Sequence, residues 1–187
     1  MADPKVQGYI DSIHQSLDNI ILTVEKLPED TIRWNPSDAE WSILQILNHV
    51  VEATYFWIGE LKIILENPGS KWGRGLQHPG RLAAVSDPDS LVVEEVIEEV
   101  KGLKDYISEN LSKVNDDRLT EENPHRNFEK FGNKPVSFLI EHFLVEHIEG
   151  HYGQIQRNLS KLDHQVTKVL NLGKLNIEPL RLKTKIR

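Results

Sequence analysis

Two histidines, His147 and His151, stand four residues apart in the stretch EHFLVEHIEGHYGQIQRN, from Glu141 to Asn158. On a helix that spacing stacks both imidazoles on one face, one turn apart, where they can share a metal ion. Two imidazoles are half a site. A third, His49, lies far back along the chain in WSILQILNHVV, beside Ile46 and Val50 near the apolar side of another helical stretch. A histidine in that position must hydrogen-bond, ligate or stay neutral, because burying its charge is costly. The expectation is that the three rings meet inside the fold and hold one divalent ion. Three neutral imidazoles suit Zn(II), Ni(II) or Fe(II), and three protein ligands leave a position for water or substrate, as in catalytic zinc sites. Such an ion lowers the pKa of a bound water or thiol and so makes a nucleophile near neutral pH.

The H-x-x-x-H pair alone is a weak signal, since the same spacing occurs on any helix face. Nor is it H-E-x-x-H: Ile148 and Glu149 follow His147, so the zincin arrangement with a glutamate base at the second position is excluded. The third histidine on a second apolar helix is what strengthens the reading.

Composition narrows the partners. The chain has 187 residues, 39% hydrophobic and 27% charged, enough for one soluble globular domain with a single core. Its net charge of -7 argues against nucleic acid, which calls for a concentrated basic surface. Cysteine is absent, which removes disulfides, thiolate metal sites and a thiol nucleophile of the protein's own. The N-terminus MADPKVQGYIDSIHQ lacks an apolar signal core, and no apolar run is long enough to span a bilayer. A cytoplasmic protein acting on a small molecule, with neither nucleic acid nor membrane as partner, is the expectation.

Four amphipathic stretches must position the histidines. The first runs from Val6 to about Lys26 through Ile10, Ile13, Leu17 and Val24, with His14 at its flank as an ordinary packing histidine. Leu27 to Glu40 reads as a polar connector. Ser42 and Gln45 then form an S-x-x-Q capping box, and the second helix carries His49 inward before Pro68 and Gly69 stop it. Gly69 to Pro88 is the longest irregular stretch, a solvated connector or a binding loop, with Lys71, Arg74, His78 and Arg81. Its Gly73-Arg74-Gly75 is no nucleotide fingerprint, because no strand precedes it and the pattern is incomplete. The third helix spans roughly Ser90 to Val114, with Glu94, Glu95, Glu98 and Glu99 as a solvated outer face. After a polar stretch from Asn115 to Pro135, the fourth helix runs from about Val136 to Leu159, with His142 and Glu149 on its outer side. No segment reads as a strand. The fold class is therefore all-α: a four-helix bundle over residues 1–160 with long connections, followed by a short C-terminal extension over 161–187.

At WSILQILNHV and HIEGHYGQI the chain resembles the DinB/YfiT-like family, over roughly residues 5–160. The resemblance implies a four-helix bundle with a long crossover and a three-histidine metal site. One ligand comes from the second helix and an H-x-x-x-H pair from the last, which assigns His49, His147 and His151. The family commonly reads H-E-x-H-H-R-G-Q. Here Ile148, Gly150 and Tyr152 stand in place of the glutamate, the first paired histidine and the arginine, while Gly153 and Gln154 are kept. The changed residues flank the ligands, so the surroundings of the ion and any shared substrate are affected more than the ion itself. The resemblance implies transfer to low-molecular-weight thiols such as bacillithiol, thiol-dependent isomerisation, or hydrolysis. A metal-dependent S-transferase or hydrolase is the leading expectation, with zinc or nickel ahead of iron and a small thiol as co-substrate. The basic loop residues would meet that thiol's carboxylates, and Gln154, one turn beyond His151, would orient a ligand or, ahead of that, serve a helix contact. The competing class is a non-catalytic metal-binding stress or structural module, homodimeric through an apolar stripe or the C-terminal segment.

Overall fold

A computed structural model describes residues 2–175 of the chain, with side chains through residue 168. Four long helices make the bundle: α1 (Pro4–Val24), α3 (Ile43–Glu66), α5 (Val93–Leu111) and α8 (Glu146–Leu175). Between them lie the short helices α2 (Glu29–Arg33), α4 (Pro79–Ser86), α6 (Phe128–Phe131) and α7 (Val136–Ile140), with a hairpin of β1 (Glu122–Pro124) and β2 (Asn133–Pro135). Both α1 and α3 pack against α5 and α8. The first two long helices therefore face each other across a diagonal, and the chain must cross one end of the bundle to join them. The expected all-α four-helix bundle is the architecture observed.

The stripes read from the sequence are the ones buried. On α1 these include Ile10, Ile13, Leu17, Ile20 and Val24, and on α5 Val93, Val96, Val100, Leu103, Ile107 and Leu111. The arc buried on α3 is wider, because α2 and α4 cover it as well as α5 and α8. Its start has the full capping box: Gln45 N donates to Ser42 Oγ at 3.2 Å and Ser42 N to Gln45 Oε1 at 2.9 Å. The start of α1 is capped from a distance, by the Asp116 carboxylate accepting from Lys5 N and Val6 N. Among the described residues no helix is long and apolar enough to cross a membrane.

The connectors hold more structure than their sequences promise. The Gly69–Pro88 stretch, expected to be irregular, contains α4, which begins at Pro79, a favoured first-turn residue. Two side chains of α3 hold its far end: Gln45 Nε2 donates to Val85 O at 2.7 Å and Asn48 Nδ2 to Ala84 O at 2.8 Å. The expectation of no strand is likewise corrected by the β1–β2 hairpin. Each strand is three residues long and ends in proline, too short for an alternating pattern to show. The hairpin grips the preceding loop through Trp72, fully buried, whose Nε1 donates to Asn123 O at 3.2 Å. Gly73 follows at φ +95°, and a Cβ there would lie 2.2 Å from His125 Nε2, so only glycine fits.

The last helix is longer than expected and is not uniform. It runs from α7 through a wide π turn, Glu141–Val145, into α8 and on to Leu175. Val136, Ile140, Leu144 and Ile148 are all fully buried at four-residue intervals. On an ideal helix such a stripe would drift roughly 120° about the axis between Val136 and Ile148. The π turn rotates less per residue and takes back part of that drift, so α8 enters the bundle with the face of His147 and His151 turned inward. The closing residues of the expected extension, 176–187, lie outside the described residues.

Ser42→Ala removes one arm of the capping box while leaving the core intact. It should cost about 1 kcal/mol, a fall in melting temperature of roughly 2–4 °C for a domain of this size by circular dichroism. An unchanged transition would show that the cap does not hold α3.

Candidate metal centre

The second turn of α3 supplies His49, 3% exposed, and the first two turns of α8 supply half-buried His147 and His151. The ring centroids lie 5.3 Å (His49–His147), 5.0 Å (His49–His151) and 4.4 Å (His147–His151) apart. One nitrogen from each ring lies within 4.8 Å of the other two. Nε2 of His147 and Nε2 of His151 are 3.1 Å apart. Two imidazoles on a tetrahedral zinc place their donor atoms roughly 3.3–3.4 Å apart, from Zn–N bonds of about 2.0–2.1 Å. The α8 pair is close to that spacing. The three rings expected to converge do so. Among the described residues they are the only such group, with no fourth histidine or carboxylate in it.

Hydrogen bonding fixes which nitrogen of His151 points inward. His151 Nδ1 donates to Gln154 Oε1 at 3.0 Å, which puts the proton on Nδ1 and leaves the Nε2 lone pair facing His147. Of the two roles expected for Gln154, orienting a ligand or bracing the bundle, this bond fits the first. His49 Nδ1 is buried without any partner. An unpaired buried polar atom is destabilising, and one orphaned on a ring grouped with two other imidazoles fits a place built to meet a cation.

Burial also fixes the charge state. It pushes the pKa of His49 down to about 3, helped by His151, Arg81 and Arg74. His147 falls to about 3 for the same first reason, helped by its two histidine neighbours. His151 is lowered too, mainly by burial, with the Gln154 bond opposing. All three imidazoles are neutral at pH 7, the state in which a ring can ligate.

Trp41, the residue just before the α3 cap, walls the cluster. Its ring centroid is 5.0 Å from that of His49, and it stacks with His151 at 6.3 Å. Asn158, buried on α8, donates to Trp41 O at 2.8 Å and ties the start of α3 to the helix carrying the other two histidines. The Arg81 guanidinium lies 5.5 Å from the Trp41 ring centre. Further along α3, Arg74 is fastened to Glu52 by two hydrogen bonds and lies 4.0 Å over Phe56. The expectation that Arg74 is free to meet a cofactor carboxylate is thereby corrected. Beyond it opens a cavity of about 490 Å³ lined by residues including Phe56, Glu60, Gly73, Arg74, His78 and Arg126, but by none of the three histidines.

The remaining sequence candidates lie elsewhere. His14 bonds to Lys104 O and Ser108 Oγ in a helix contact, as expected. His78 precedes α4 and packs on Phe56. His142 pairs with Glu146 on the exposed side, and the acidic residues of α5 face solvent. One contributor was not singled out in the sequence, Asn158, while Trp41 entered only as the first residue of the WSILQILNHV motif. Asn158 continues the series His147, His151, Gln154 at helical spacing, so its place on that face was available to the same argument.

A four-helix bundle with crossed connections and three histidines drawn from its second and last long helices defines the class. The model of the DinB superfamily matches residues 12–155, and the chain belongs to that family. Among solved structures it is similar to YfiT from Bacillus subtilis, reported as a probable metal-dependent hydrolase with an unusual four-helix bundle topology. The two share 12% identity over 86% of this chain and 90% of that one, with a TM-score of 0.63, a likeness of fold. No curated protein matches the chain.

In metal-free protein the neutral rings make stability fall with acid. Below pH 6.5 the unfolded chain takes up protons that the folded rings refuse until about pH 3 for His49 and His147. The unfolded state therefore gains on the folded one throughout that window, by up to about 1.4 kcal/mol per pH unit for each ring. Urea unfolding of chelator-treated protein at pH 7.5 and pH 5 should show this loss, and His49→Gln should lessen it. Equal loss in wild type and variant would mean that His49 is not held neutral.

Proposed function

We propose that this protein is a metal-dependent enzyme acting on a small molecule, with His49, His147 and His151 as the ligands of one divalent ion, zinc or nickel ahead of iron. The reaction is hydrolysis of a small electrophile or its transfer to a low-molecular-weight thiol. The observation that carries this reading is the convergence of three neutral imidazoles without a fourth ligand-type side chain in the group. A closed structural site would supply a fourth ligand, whereas three leave room for a reactant. Family membership and the fold shared with a protein reported as a probable metal-dependent hydrolase support it further.

Bound there, the ion supplies Lewis acidity that lowers the pKa of a water or thiol to near neutral. The chain's own residues do the rest. Gln154 holds the His151 ring in the ligating tautomer. Trp41 shields one side from solvent, and burial keeps the rings neutral so that their lone pairs stay available. With no cysteine in the chain, a thiol nucleophile arrives with the co-substrate.

Protein purified without an affinity tag should carry about one divalent ion per chain by elemental analysis, and His49→Ala should lose most of it while keeping its helical circular dichroism. Unchanged metal content in that variant would remove His49 from the site. Metal-loaded wild type should turn over at least one member of a panel of activated esters, amides and thiol-plus-electrophile pairs, with His147→Ala at least a hundredfold slower. Absence of turnover across the panel would contradict the enzymatic reading.

A further inference from the structure

Of the basic residues between Gly69 and Pro88, only Arg81 combines nearness to the histidines with freedom from an acidic partner. Arg74 is bound to Glu52 and its side chain is 5% exposed. Lys71 is exposed beside Trp72, at the hairpin end of the segment. Arg157, exposed on α8 six residues past His151, lies back beside Gly153 and adds its charge near the His151 ring alone, whereas Arg81 acts on both His49 and His151. Arg81 sits half-buried on α4, over the Trp41 ring that itself contacts His49 and His151. One of its Nη atoms donates to Leu76 O at 3.0 Å. Among the described residues no carboxylate lies within ion-pair distance of it, in a chain where 29 acidic residues face 22 lysines and arginines. Its remaining donors keep the fork geometry that matches a carboxylate or phosphate.

The helix that carries Arg81 is fixed in place. Gln45 and Asn48 hold the last carbonyls of α4, and Gln45 belongs to the capping box that begins α3. The element that presents His49 thus also sets where Arg81 stands. Leu76, whose carbonyl accepts from the guanidinium, and Leu82 are both exposed in the same segment.

We propose that Arg81 is a substrate-anchoring residue: it binds the anionic group, a carboxylate or phosphate, of a small organic acid whose reacting atom faces the three histidines. The inference rests on the metal-site reading above and adds the substrate class, a small organic anion with a short span between its charge and its reacting atom.

The test uses the full chain loaded with Co(II), and reads the thiolate-to-cobalt absorption while titrating two thiols of similar size. Mercaptoacetate carries a carboxylate, and 2-mercaptoethanol does not. Wild type should bind mercaptoacetate on the order of tenfold more tightly. Arg81→Gln should bring the two close to parity by weakening mercaptoacetate alone, and Arg81→Lys, which keeps charge but not the fork, should fall between. Parity in wild type, or a preference kept in Arg81→Gln because mercaptoacetate chelates the ion unaided, overturns the assignment of Arg81 and leaves the metal site standing. Failure to take up cobalt overturns both. If Arg81→Gln loses its helical circular dichroism, Arg81→Lys decides: a preference reduced severalfold supports the anchor, and an unchanged one overturns it.

Discussion

Three imidazoles kept neutral against one another in a protein interior are the constraint around which this fold is arranged. One nitrogen of each ring lies near the same point, and His49 Nδ1 is left without a partner. Protonating any one of them is opposed by burial, and the other rings add to that opposition at His49 and His147. Such a cluster is poorly satisfied by protein alone, since a buried polar atom without a partner is destabilising. A shared cation would relieve that cost, and the cluster has the donor set for one.

Holding the set together depends on how two distant helices are locked in register. The capping box sets where α3 begins, and Asn158 fastens the residue before that cap to α8. The π turn between α7 and α8 sets the angle at which α8 presents His147 and His151. These devices are local and act at helix ends or at one wide turn, while the long apolar stripes of α1, α3 and α5 supply most of the core. The division is economical: packing makes the bundle, and a few polar contacts aim the three rings.

The same division explains what the sequence discloses. Helical periodicity and the S-x-x-Q start make the four long helices and the inward face of His49 readable, because both are short-range signals that repeat or stand adjacent. Spacing alone puts His147 and His151 on one face. The π turn is not readable, because its apolar residues still recur every four positions and look like ordinary helix. The hairpin is hidden by strands of three residues that alternate too briefly to register. Helix α4 is hidden by its glycine- and proline-rich surroundings, and it is held by side chains of α3 some forty residues earlier. The fates of Arg74 and Arg81 differ for the same reason. Only the tertiary position of Glu52 decides that one is paired and the other is not.

The central claim is that His49 closes a single coordination sphere with the pair on α8. X-ray absorption at the zinc or nickel edge of the loaded full-length protein tests it most directly, alongside the His49→Ala variant. The account predicts three imidazole nitrogens, with bonds of about 2.0–2.1 Å for zinc, joined by at least one light exchangeable ligand, and the loss of one imidazole shell in the variant. A sphere with two imidazoles in wild type, or one unchanged when residue 49 is altered, would contradict it.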